Sequence, residues 1–193
     1  MSPDQLNLMI SAATLAVLLA AAVAAIVQLR HIRASNESAT FSSVFRLWYS
    51  PDVQRGLGFV QHDLEAKMKD PAFRAELDTA GAVDHERHPE LNVIDYFDNI
   101  SLYVVLGNVR EAMILLPAAQ LVEQLWETLS PTIAIMRRRR GRQLYASFEY
   151  VVARARVWNA RYPDGYTPKG FARLPNPDVW QDADVAGHSG SRR

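Results

Sequence analysis

From Gln5 to Leu29 the chain runs 25 residues without a charged side chain, bracketed by Asp4 and Arg30. A helix rises about 1.5 Å per residue, so this stretch reaches roughly 37 Å, enough to cross a hydrocarbon layer of about 30 Å with some tilt. Six Leu, two Ile and three Val lie within it, each worth about −0.3 to −0.6 kcal/mol of insertion energy near the bilayer centre. Asn7, Ser11, Thr14 and Gln28 lie mostly toward its ends, where polarity costs least. A single transmembrane helix over 6–29 is therefore predicted, after a short N-terminal segment, 1–5. Two other readings compete. A cleaved signal peptide wants positive charge ahead of its apolar core, and here only Asp4 and the terminal amine precede it, although Ala20-Ala21-Ala22 offers the small residues a peptidase needs. A buried helix of a soluble protein is seldom this long without a charge.

Arg30 and Arg33, with His31 between them, follow the span directly, and nothing basic precedes it. The bias of positive flanks toward the cytoplasm predicts an outside N-terminus and a cytoplasmic remainder. Ala12, Ala16, Ala20 and Ala24 recur every fourth residue. Such a ladder lets a second helix approach closely in lipid, although eight alanines in this stretch also align by chance.

The rest of the 193 residues has room for one domain, predicted over 30–161, with a core that needs no staple. Cysteine is absent, which excludes disulfides, thiolate zinc sites and cysteine nucleophiles. The formal net charge of zero hides a segregation. Ser50 to Ser130 carries 14 acids against 6 bases, whereas Pro131 to Arg161 carries 8 arginines against Glu149 alone.

Ser50-Pro51, Asp70-Pro71, His88-Pro89 and Ser130-Pro131 each place proline where a first helical turn begins. Between them apolar residues keep helical period. Phe41, Val44, Phe45 and Trp48 form one stripe, and Val53, Leu57, Val60, Leu64 and Met68 form the next. Phe73 and Leu77 precede Gly81. Leu91, Ile94, Phe97 and Val104 lead to a break at Gly107-Asn108. Met113, Leu116, Leu121, Leu125, Trp126 and Leu129 follow, then Leu144, Phe148, Val151, Ala155 and Trp158. No run alternates as a strand does. The fold predicted is all-α, a helical bundle behind the anchor. Residues 162–193 are rich in proline and glycine and read as an extended or disordered tail, with Phe171, Leu174 and Trp180 as candidate docking residues.

The strongest polar signal is Arg137-Arg138-Arg139-Arg140-Gly141-Arg142. With Arg30 and Arg33 these arginines suit an anionic membrane surface or a partner, at about 1 kcal/mol each. The same charges could bind nucleic acid, but no groove-reading or base-stacking motif accompanies them. They could equally close a helix or pair with the acidic middle of the chain.

His62-Asp63, His85, His88 and Asp95 loosely resemble the ligand sets of helical metal-dependent phosphohydrolases, without spacing that demands convergence. Gly56-Leu57-Gly58 fails as a dinucleotide fingerprint because Gln61 takes the third glycine's place. Asp95 and Asp98 share a helix face, more simply solvated than catalytic. Trp48-Tyr49, Trp126 and Trp158 read as core. Catalytic, cofactor and metal residues are therefore none.

Gln28-Leu29-Arg30, Arg46-Leu47-Trp48, Ser50-Pro51-Asp52 and Arg55 resemble a bacterial family known only as a domain of unknown function. Leu125-Trp126-Glu127 with Pro131, the arginines after it and Tyr145-x-x-Phe148-Glu149 resemble its second half. The likeness covers about residues 15 to 155; the alanine ladder and the tail depart from it. It implies a small membrane-anchored helical protein of the bacterial inner membrane and carries no activity. The function expected is a non-enzymatic interaction module, an accessory, scaffolding or regulatory subunit. Its partners would be the bilayer and either another membrane protein or a second copy of itself. A membrane-tethered metal-dependent hydrolase is the alternative, and a nucleic-acid binder working through Arg137–Arg142 a further one.

Overall fold

A computed structural model describes residues 3–178 and Trp180; in the first helix it leaves out the side chains of residues 6, 8, 10, 33, 34, 36–38, 40, 41 and 44. The described residues form helices α1 (Pro3–Trp48), α2 (Pro51–His62), α3 (Leu64–Lys67), α4 (Pro71–Leu77), α5 (Glu90–Val105), α6 (Glu111–Arg140) and α7 (Ala146–Arg161), and no strand. The chain divides into two compact units, Met1–Arg161 and Tyr162–Arg193. In the second, Phe171, Leu174 and Trp180 are exposed.

The first helix is 46 residues long and continuous. No proline or glycine occurs between Pro3 and Pro51, so nothing removes a backbone donor or loosens a turn over that length. The apolar span and the stripe ending at Trp48 are thus one rod rather than two helices. Within it Ser11–Ile32 has mean hydropathy 2.4, is long and apolar enough to cross a membrane, and has no buried residue.

Helices α2 and α4 begin as the sequence predicts. Ser50 Oγ accepts from the Val53 N–H at 3.4 Å and Asp70 Oδ1 from the Ala72 N–H at 2.8 Å, with Pro51 and Pro71 at the first helical position. Pro89 stands one place earlier, at the cap of α5. Pro131 does not start a helix; it lies inside α6. An interior proline costs about 3 kcal/mol, because the carbonyl four residues back loses its donor. Here that carbonyl is Glu127's, and the Ser130 hydroxyl donates to it at 3.4 Å. Leu129, Ile133 and Met136 on either side of Pro131 are buried, each worth about 1.5–3 kcal/mol. Packing outweighs the break.

Two further expectations change. Leu116 is half exposed, and Ile114 and Leu115 turn inward in its place. Helix α4 stops at Leu77, four residues before Gly81. The break at Gly107 stands: its φ is 73°, its N–H donates to Val104 O, and the Asn108 N–H donates to Tyr103 O at 2.9 Å. That pair of bonds closes a helix end with glycine in the left-handed region.

The core lies where α7 packs across α5 and α6 while α2 covers the other side of α5. At its centre the Phe148 ring stacks on Phe97 at 5.3 Å and meets Trp126 edge-on at 5.2 Å. Helix α2 approaches α5 so closely at Gly56 that a β-carbon there would sit 2.4 Å from the Pro89 carbonyl oxygen. That contact, not a nucleotide, accounts for Gly56, while a side chain at Gly58 would meet open space. Helix α1 joins this core through Trp48, whose ring packs on Tyr96 and Phe97 at 5.3 and 5.8 Å.

Candidate functional site

Gly141, with φ 87°, ends α6 and leaves Arg137–Arg140 in its last turn, where the helix dipole favours cations. Arg137 Nε donates to Leu144 O at 2.9 Å, and its Nη2 meets Glu149 Oε2 at 2.7 Å. Arg139 bonds Asp78 at 3.0 Å, and Arg138 lies 3.8 Å from the same carboxylate. Arg140 donates to Thr79 O at 3.0 Å and also to Gly81 O. Four of the arginines therefore tie α6 to the turn after α4 and to α7. Arg138 and Arg139 remain largely exposed, and such exposed pairs contribute at most about 1 kcal/mol each. Arg142 is exposed beside them, and Arg30 is exposed on α1; the side chain of Arg33 lies outside the described residues. Ala12, Ala16, Ala20 and Ala24 form an uncovered stripe along α1.

The second polar centre lies between α4 and α5. His88 and Glu90 are fully buried, His88 against the Phe73 ring at 4.3 Å. Its Nδ1 is 3.0 Å from Glu90 Oε1 and its Nε2 is 3.2 Å from Glu76 Oε2. The imidazole thus bridges two carboxyls in one hydrogen-bonded row, and Arg87 pairs with the outer one, Glu76. Burial holds the Glu90 carboxyl above its ordinary range, against the pull of the His88 hydrogen bond. Its Oε2 has no protein partner among the described residues.

Asp95 and Asp98 part ways. Burial raises the Asp95 carboxyl, opposed by its hydrogen bond from Tyr145, and His85 lies 3.7 Å from it. Asp98 Oδ1 instead accepts the Phe148 N–H at 2.9 Å, an otherwise orphaned donor in the first turn of α7. Tyr145, just before that helix, has φ 58° and no side chain suited to capping. Asp98→Ala is expected to cost about 1–2 kcal/mol, the usual price of a lost cap, whereas Asp98→Asn keeps the acceptor and most of the stability. Urea denaturation of the two variants checks this, and equal losses would contradict the cap.

The histidine and aspartate set does not converge. His62 and Asp63 are exposed at the end of α2, His85 bonds Asn92 Oδ1 at 3.0 Å, and His88 has both nitrogens engaged. Among the described residues no three His, Asp or Glu side chains form a group able to hold a metal. Sequence reasoning missed the trio of Glu76, His88 and Glu90, since twelve residues separate Glu76 from His88 and only the turn between α4 and α5 joins them. An apolar cavity of about 180 Å³ also lies where Phe45 and Trp48 meet Ile100, Met113 and Pro117.

The family model described as Domain of unknown function (DUF4760) matches residues 15–155. The chain belongs to that family. No curated protein and no solved structure matches it.

Proposed function

We propose that this chain is a membrane-anchored helical interaction module, an accessory, scaffolding or regulatory subunit of a membrane complex. In this reading α1 spans the bilayer with its N-terminus outside, and α2 to α7 stand on the cytoplasmic side. The observation that carries it is α1 itself. Its apolar turns Ser11–Ile32 are uncovered, and the same unbroken helix runs on to Trp48 in the core. A cleaved signal wants positive charge ahead of its apolar run, and only Asp4 and the terminal amine precede this one, which supports a retained anchor. Arg30 at the end of the span supports the orientation.

Asp98, His88 and Glu90 hold helices together, and His62 and Asp63 stand exposed and apart from them, an arrangement in keeping with an interaction role. With Arg137 and Arg140 turned inward, the partner-facing cations reduce to Arg138, Arg139 and Arg142, too few for a nucleic-acid patch without stacking residues. The alanine stripe is the face for another membrane helix, from a second copy or a partner protein. Extracted in mild detergent, the chain is expected to run as a complex larger than its 21.7 kDa. Ala16→Ile with Ala20→Ile should shrink that complex by blocking close approach. A lone monomer in both cases would contradict the proposal.

A further inference from the structure

The end of α5 exposes apolar surface that the bundle leaves open: Leu102, Tyr103, Val105 and Leu106 are 43, 40, 50 and 62 % accessible. From Asn99 to Arg110 there is no acidic residue, within a region that is otherwise strongly acidic. The first acid beyond it, Glu111, is held by both nitrogens of a bidentate contact from Arg154 at 2.8 and 2.9 Å. Gly107 and Asn108 then turn the chain tightly into α6. The result is a blunt hairpin tip that is apolar and free of negative charge.

Contacts bear on its level along α1. Trp48 packs on Tyr96 and Phe97, and Phe45, one turn back toward the span, lines one cavity with them and with Ile100, one turn on toward the tip. Taken as antiparallel, α5 moves back along α1 toward Ile32 as it runs to Leu106. Ile32 and Trp48 are about 24 Å apart and Phe97 and Leu106 about 14 Å, at about 1.5 Å per residue. The tip thus stands on the order of 10 Å from Ile32, the last residue of the stretch Ser11–Ile32. The headgroup layer is about 5–7 Å deep on each side, and a helix tilt of about 20° brings one flank closer.

The geometry points to a second membrane contact: the α5–α6 tip, Leu102 to Leu106, rests in the headgroup layer of the leaflet from which α1 emerges. This rests on the reading of α1 as a membrane span. Leucine and valine supply buried apolar area, Tyr103 suits the boundary with an apolar ring and a polar hydroxyl, and anionic lipid meets no repelling carboxylate. Anchor and tip together would hold the bundle at a fixed attitude to the membrane.

The chain has no cysteine, so single nitroxide labels report cleanly. Full-length Leu106→Cys, Leu18→Cys and Glu65→Cys are labelled and reconstituted in phosphatidylcholine–phosphatidylglycerol vesicles. Leu18 is exposed on the face of α1 away from the alanine stripe. Collision rates with oxygen, which concentrates in lipid, are compared with those of a water-soluble nickel chelate. The Leu106 label is expected to give an oxygen-to-nickel ratio between the low value at Glu65, a solvated position, and the high value at Leu18. A Leu106 ratio equal to that of Glu65, with Leu18 in lipid, overturns the tip contact alone. A Leu106 label shielded from both reagents shows protein covering the tip and overturns it too. A Leu18 label reading as water removes the membrane span itself.

Discussion

Phe148→Ala is expected to cost about 3–5 kcal/mol, the range for emptying a buried aromatic site. Whole domains are stable by only about 5–15 kcal/mol, so the variant should be close to unfolding at ambient temperature. Phe148 is fully buried and joins α5 to α6 through its contacts with Phe97 and Trp126. Removing its ring strips one face from both partners and opens the place where three helices meet. Phe148→Leu keeps most of the volume and should lose far less. Chemical denaturation of the full chain in micelles, followed by circular dichroism, measures both. A loss of under about 1 kcal/mol for alanine would mean that α7 is not seated as described.

His88→Ala should rank with it, at about 3–5 kcal/mol, because it strands a buried carboxylate. Glu90 has no exposure, and His88 is its side-chain partner, whereas Glu76 keeps Arg87. Glu90→Gln in the same background removes the stranded charge and should recover part of the loss. The unaltered His88 chain gives a pH test as well. Burial raises the folded Glu90 carboxyl above its ordinary value of 4.5. The folded state therefore holds that proton more tightly, so the group's contribution is fully present below 4.5 and is lost as pH rises through the higher folded value. Glu90→Gln abolishes this titration. Its stability relative to the parent should improve as pH climbs from 4.5, then level off. Urea midpoints across that window decide, and a flat difference would show that Glu90 is not desolvated.

What the sequence shows plainly is local. Charge-free length marks the apolar part of α1, and capping residues before Pro51 and Pro71 mark two helix starts, because both signals act within one or two turns. Pro131 reads the same way in sequence, and there the reading fails. The outcome is set by Leu129, Ile133 and Met136 packing on other helices, and a linear chain does not display that. Leu116 fails for a related reason: α6 turns Ile114 and Leu115 to the core, a rotation set by the helices it packs against. At the arginine cluster, sequence supplies the charges and both possible uses. Only the fold brings Asp78, some 60 residues earlier, against Arg139. Asp98 is the clearest case. Its spacing from Asp95 suggests a shared face, but its work lies 50 residues away, on the first turn of α7.

The anchor is tested most directly by washing vesicles that carry the full chain with alkaline carbonate and sizing what stays behind. If Ser11–Ile32 crosses the lipid as an uncleaved helix, the polypeptide remains in the membrane pellet at its complete length. Release into the wash, or a pelleted protein trimmed after the alanine run, would contradict the account at its root.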